Sequence, residues 1–149
     1  MNLLRTGVFV MVMLFSFGVK AQITKDPTTW TVEAKKTGVN SYDIIFHLKL
    51  QPKWHIFSLN PGGDGMQLPP EFKMDKVKMN GAVKEKGRLV SGKLEGVRGN
   101  VNYYEGSVDY VQPVAGTAGT KVSGSYRYQV CNDEMCLAPK TKKFEVTLR

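Results

Sequence analysis

The sequence predicts an antiparallel β-sandwich. Two observations carry this: apolar residues alternate with polar ones over short stretches, and glycine-rich turn signals separate those stretches at intervals of roughly ten residues. A third supports it, because a helical period nowhere persists for ten residues.

The elements are read in chain order. "MNLLRTGVFVMVMLFSFGVKAQ" opens with Arg5 and no acid, runs apolar from Val8 to Phe17, and places Val19 and Ala21 at the −3 and −1 positions of a small-residue cleavage site. This is the pattern of a secretory signal peptide over residues 1–21, cut between Ala21 and Gln22. The apolar run is too short to span a bilayer, so no stable membrane insertion is expected. Residues 22–149 then form one domain, exported after cleavage.

"WTVEAK" alternates through Trp30, Val32 and Ala34. "SYDIIFHLKLQ" alternates more clearly, with Tyr42, Ile44, Phe46, Leu48 and Leu50 on one face and Asp43, His47 and Lys49 on the other. His47 reads as a solvated residue, and His55 in "KWHIF" as a packed or hydrogen-bonded one. "NPGGDGMQLPP", with three glycines and three prolines, reads as a long surface loop without regular structure. "SVDYVQPV", "GSYRYQV" and "KKFEVTL" complete the strands, the last with Phe144, Val146 and Leu148 inward. The formal net charge is +8, but the basic residues are dispersed and no nucleic-acid motif is present. Nucleic-acid binding is therefore not expected.

"YQVCNDEMCLAPKTKKFEV" holds the only two cysteines, Cys131 and Cys136. With "YQV" as a strand end, "NDEM" is a four-residue hairpin connection, and Asn132 and Asp133 suit its first positions. The cysteines then stand nearly opposite each other, close enough for a disulfide. A staple across so short a loop stabilises by only about 2 kcal/mol. Pro139 marks an interrupted edge that another protein could approach. Lys140, Lys142 and Lys143 would favour a thiolate, while Asp133 and Glu134 oppose it. Spacing alone leaves three readings open. They are a structural staple, a redox couple, and a Cu(I) site adding Met135 and His55 to the cysteines.

Tyr128, Gln129, Cys131, Cys136, Pro139 and Thr141 together resemble the signature of the N-terminal periplasmic domain of DsbD-type thiol:disulfide interchange proteins. "PKWHIFSLNPG" and "VNYYEGSVDYVQPV" extend the likeness upstream, and "LAP" stands where other members have two consecutive prolines. The resemblance implies an immunoglobulin-like β-sandwich acting as a protein-disulfide reductase component, without cofactor or metal. Cys136 would form mixed disulfides with thioredoxin-like partners, including those of cytochrome c maturation, and Cys131 would resolve them. Tyr103 or Tyr104 would belong to an aromatic cap over the pair, supported by Gln129. Because the sequence stops at Arg149, a separate membrane electron donor is expected.

Overall fold

The computed structural model describes residues 25–149, so the expected signal peptide and its cleavage site lie outside the described residues. Ten strands follow in order: β1 (Thr28–Gly38), β2 (Ser41–Leu50), β3 (His55–Gly62), β4 (Glu71–Asp75), β5 (Lys78–Met79), β6 (Lys84–Gly92), β7 (Val101–Ala115), β8 (Lys121–Tyr128), β9 (Val130–Cys131) and β10 (Lys140–Thr147). Among the described residues there is no helix.

Strand β7 organises the larger sheet. One edge pairs with β2 along residues 107–115 and then with β3 along 101–105; the other pairs with β5 and β6. β1 extends the sheet beyond β2, and β9 extends it beyond β3. The smaller sheet has the order β10-β8-β4. All pairings are antiparallel.

The alternation in β2 has the consequence its period dictates. Tyr42, Ile44, Phe46, Leu48 and Leu50 are buried, and each faces the second sheet. Phe46 lies at the centre, with ring centroids 4.7 Å from Phe72, 5.5 Å from Tyr126 and 4.9 Å from Phe144. Close approach of the strands in the smaller sheet requires glycine at 124, where a Cβ would strike the Lys73 carbonyl of β4. Sequence reading placed 60–62 in a loop, but β3 continues through Asn60, Pro61 and Gly62. The ladder there is irregular, and an edge irregularity tolerates proline.

Asp26 ties the start of β1 to the smaller sheet. Its carboxylate accepts hydrogen bonds from the Thr28 hydroxyl (2.7 Å) and the Tyr128 hydroxyl (2.6 Å), and pairs with Lys140 and Lys142. Partial burial pushes its pKa up, but the bonds from Thr28, Tyr128 and Lys142 outweigh this and hold it at about 2. The folded carboxyl titrates below its ordinary value of 3.8. Its contribution is therefore fully present above that value and is lost as pH falls through about 2. Asp26→Asn should lower stability by about 1 kcal/mol at neutral pH, a figure already reduced for solvent screening. Urea unfolding at several pH values checks this: the gap between the two proteins should close on acidification, and a constant gap would reject the role of the charge.

His47 differs from its sequence reading. It is not merely solvated, because Nδ1 lies 2.8 Å from Asp109 and Nε2 3.3 Å from Glu33, on the neighbouring strands β7 and β1. Partial burial pushes its pKa down, but the two carboxylates more than offset this and raise it.

Candidate functional site

The chain changes sheets at Gln129. β8 ends at Tyr128 in the smaller sheet, and Val130–Cys131 joins the larger one beside β3. The expected strand through "YQV" is thus two strands in different sheets. Sequence pattern could not reveal this, since it carries no signal of which strand lies alongside. β10 then returns the chain to the smaller sheet at Lys140.

Between these points stands the cysteine hairpin. The Asn132 amide donates to the Met135 carbonyl (2.9 Å) and the Leu137 amide to the Val130 carbonyl (3.0 Å). The Asn132 side-chain oxygen accepts from the amides of Glu134 (2.9 Å) and Met135 (2.8 Å), closing the turn that the sequence suggested. Gln129 Nε2 donates to the Leu137 carbonyl (2.9 Å), clamping the chain just past Cys136. Cys131 and Cys136 oppose each other with Cα atoms 4.0 Å apart and are joined in a disulfide.

The two sulfurs differ in surroundings. Cys131 is 2% exposed, whereas Cys136 is on the exposed side of the hairpin. Both line a cleft of about 190 Å³. This is below the roughly 300–1,000 Å³ of small-molecule pockets, and suits a protruding side chain better than a cofactor. His55 and Phe57 of β3, Asn132 and Asp133 of the hairpin, and Leu94, Glu95 and Val97 from the β6–β7 loop line it with the two cysteines.

That loop is held from below. The Gly63 amide donates to the Asn100 carbonyl (2.9 Å), and the Arg98 amide donates to Asp64 (3.4 Å). "NPGGDG" therefore supports the segment beside the disulfide. Gly63 (φ +71°) has no room for a side chain, because a Cβ would meet Val101 and Gln67.

Sheet parity separates the two tyrosines proposed for a cap. Tyr104 pairs with Ile56, lies in the core, and interacts with Glu85. Tyr103 pairs with Phe57 on the disulfide's face, its ring 5.1 Å from His55. Neither lines the cleft; Leu94, Glu95 and Val97 do, and the sequence pattern did not single them out. Their only signal was the turn "GVRGN" in an otherwise stranded region. Of the lysines beyond Pro139, Lys140 and Lys142 pair with Asp26. Among the described residues, no group of three or more His, Cys, Asp or Glu side chains is placed to hold a metal ion.

Residues 20–148 match the family described as "Thiol:disulfide interchange protein DsbD, N-terminal". The chain belongs to the DsbD N-terminal family. Its fold is that family's immunoglobulin-like β-sandwich. Among solved structures, the N-terminal periplasmic domain of ScsB from Proteus mirabilis superposes with a TM-score of 0.60 at 14% identity, over 83% of this chain and 46% of that one. The chain thus spans about half the length of that neighbour. The reduced DsbD N-terminal domain from Neisseria meningitidis superposes with a TM-score of 0.51 at 15% identity, over 79% of this chain and 84% of that one. No curated protein matches the sequence.

Proposed function

We propose that this DsbD N-terminal family domain relays electrons in the periplasm through Cys131 and Cys136, exchanging disulfides with thioredoxin-like partners, including those of cytochrome c maturation. In this reading a membrane electron donor re-reduces the pair. One observation carries the reading: an exposed cysteine and a buried one share a disulfide and line one cleft. Exchange needs one sulfur open to in-line attack and a second held beside it to displace the partner. Cys136 has the first position and Cys131 the second. Gln129 and Tyr103 support the pair, the former by clamping the hairpin and the latter by packing on His55.

A purely structural staple is the competing reading. Equilibration in glutathione and dithiothreitol series, followed by thiol labelling, separates the two. The pair should titrate reversibly with a potential above about −300 mV, in the range of thioredoxin-like proteins. A bond that stays oxidised well below that value would identify a staple.

A further inference from the structure

Four residues on neighbouring strands form one transverse row. Glu105 of β7 pairs with His55 of β3, His55 pairs with Cys131 of β9, and Cys131 bridges to Cys136. Directly opposed residues of antiparallel strands project to the same face, with Cβ atoms about 4.5–5.5 Å apart. Carboxylate, imidazole and both sulfurs therefore stand in line on the outer face, while Ile56 and Val130 of the adjacent row enter the core. His55 and both cysteines open on one cleft.

His55 is 5% exposed, and its Nε2 is buried without a hydrogen-bond partner. Such a nitrogen calls for a partner that the disulfide form does not supply. Reduction would place a thiol on Cys131, the residue paired directly with His55. That thiol, on a residue as covered as Cys131, resists ionisation, yet only the thiolate can attack. We propose that His55 is the proton acceptor of Cys131 during resolution of the mixed disulfide. The inference rests on the exchange reading above.

The steps balance as follows. The Cys136 thiolate attacks one sulfur of a partner disulfide; the Cys136–partner bond forms, the partner's own bond breaks, and its second sulfur leaves as thiolate. Cys131 then passes its proton to the imidazole and attacks Cys136 Sγ. The intramolecular disulfide forms, the bond to the partner breaks, and the second partner thiolate departs. The pair is oxidised by two electrons and the partner reduced by two. The imidazolium returns its proton to the departing thiolate or to water.

Charged and titratable groups around His55 are Glu105 and Tyr103 from β7, Asp133 from the hairpin, and Glu95 across the cleft. Burial pushes the imidazole below its ordinary 6.5, and Glu105 and Asp133 only partly counter it. At neutral pH the ring is thus uncharged and able to accept a proton.

The test uses the reduced protein and one equivalent of dithiobis-nitrobenzoate, a small symmetrical aromatic disulfide, followed by stopped-flow absorbance. Attack by Cys136 releases one coloured thiolate, and ring closure by Cys131 releases the second. His55→Phe should leave the first release within about twofold. At neutral pH it should slow the second about a hundredfold, the usual scale of general-base assistance. The two proteins should converge at alkaline pH, above the ordinary thiol value of about 8.5. An unchanged second phase, or a slowing by one factor at every pH, would overturn the proposal, the latter by indicating a purely structural role. If His55→Phe does not fold, His55→Gln and the native profile decide. The native second phase should level off above a midpoint below 6.5; a rate climbing tenfold per pH unit up to the thiol's own titration would overturn the proposal. Absence of the first release would reject the exchange reading and this inference with it.

Discussion

Cys131→Ser should trap a thioredoxin-like partner as a stable covalent adduct, and Cys136→Ser should trap little or none. The physical cause is access. Cys136 sits on the exposed side of the hairpin, beside Met135, which is 48% exposed, whereas Cys131 is covered in the ladder against His55. Cys131 is almost fully buried, so a partner sulfur has little room to approach it in line. The partner carries its attacking cysteine alone, preloaded as a mixed disulfide with an aromatic thiol. Attack by Cys136 then forms the interprotein bond and expels the aromatic thiolate. With Cys131 absent, nothing displaces the partner. Non-reducing gels read the outcome directly, and the difference between variants should be at least tenfold. Equal trapping, or trapping mainly by Cys136→Ser, would overturn this assignment of roles while leaving the relay itself standing.

The largest effect on stability is expected at Phe46. Its side chain is fully buried and joins three aromatic rings of the second sheet. Phe46→Ala removes that packing and leaves a cavity between layers that the paired strands cannot close. The cost should be about 3–5 kcal/mol, against a total stability on the order of 5–15 kcal/mol. The midpoint of thermal unfolding should fall by roughly 10–20 °C. Phe46→Leu, which keeps most of the volume, should lose well under half as much. Circular dichroism melts of the three proteins check this, and a Phe46→Ala loss below about 1 kcal/mol would show that the two sheets are not held together at this point.

The disulfide hairpin was legible before the fold because its determinants are local. Four intervening residues, an asparagine able to close the turn, and a proline after the second cysteine all act within ten residues of chain. The same holds for the inward face of β2, where a period of two fixes which side chains enter the core once one of them does. Family membership, too, was carried by residues adjacent in sequence, from Tyr128 to Thr141.

Alternation says which residues share a face, but not which strand lies alongside or where a chain leaves one sheet for another. The crossing at Gln129, the separation of Tyr103 from Tyr104, and the row from Glu105 to Cys136 all depend on pairing partners distant in sequence. The place of Leu94 and Val97 on the cleft lining depends on a loop hydrogen-bonded to Asp64 and Gly63. The pairing of Lys140 and Lys142 rests on Asp26, whose contacts with Tyr128 and Lys142 span more than a hundred residues. The sequence by itself therefore determined the fold class, the hairpin and the two cysteines that pair in it. The tertiary structure decided which sulfur is open and which histidine stands beside the other, because exposure and proximity are created only when separate segments pack.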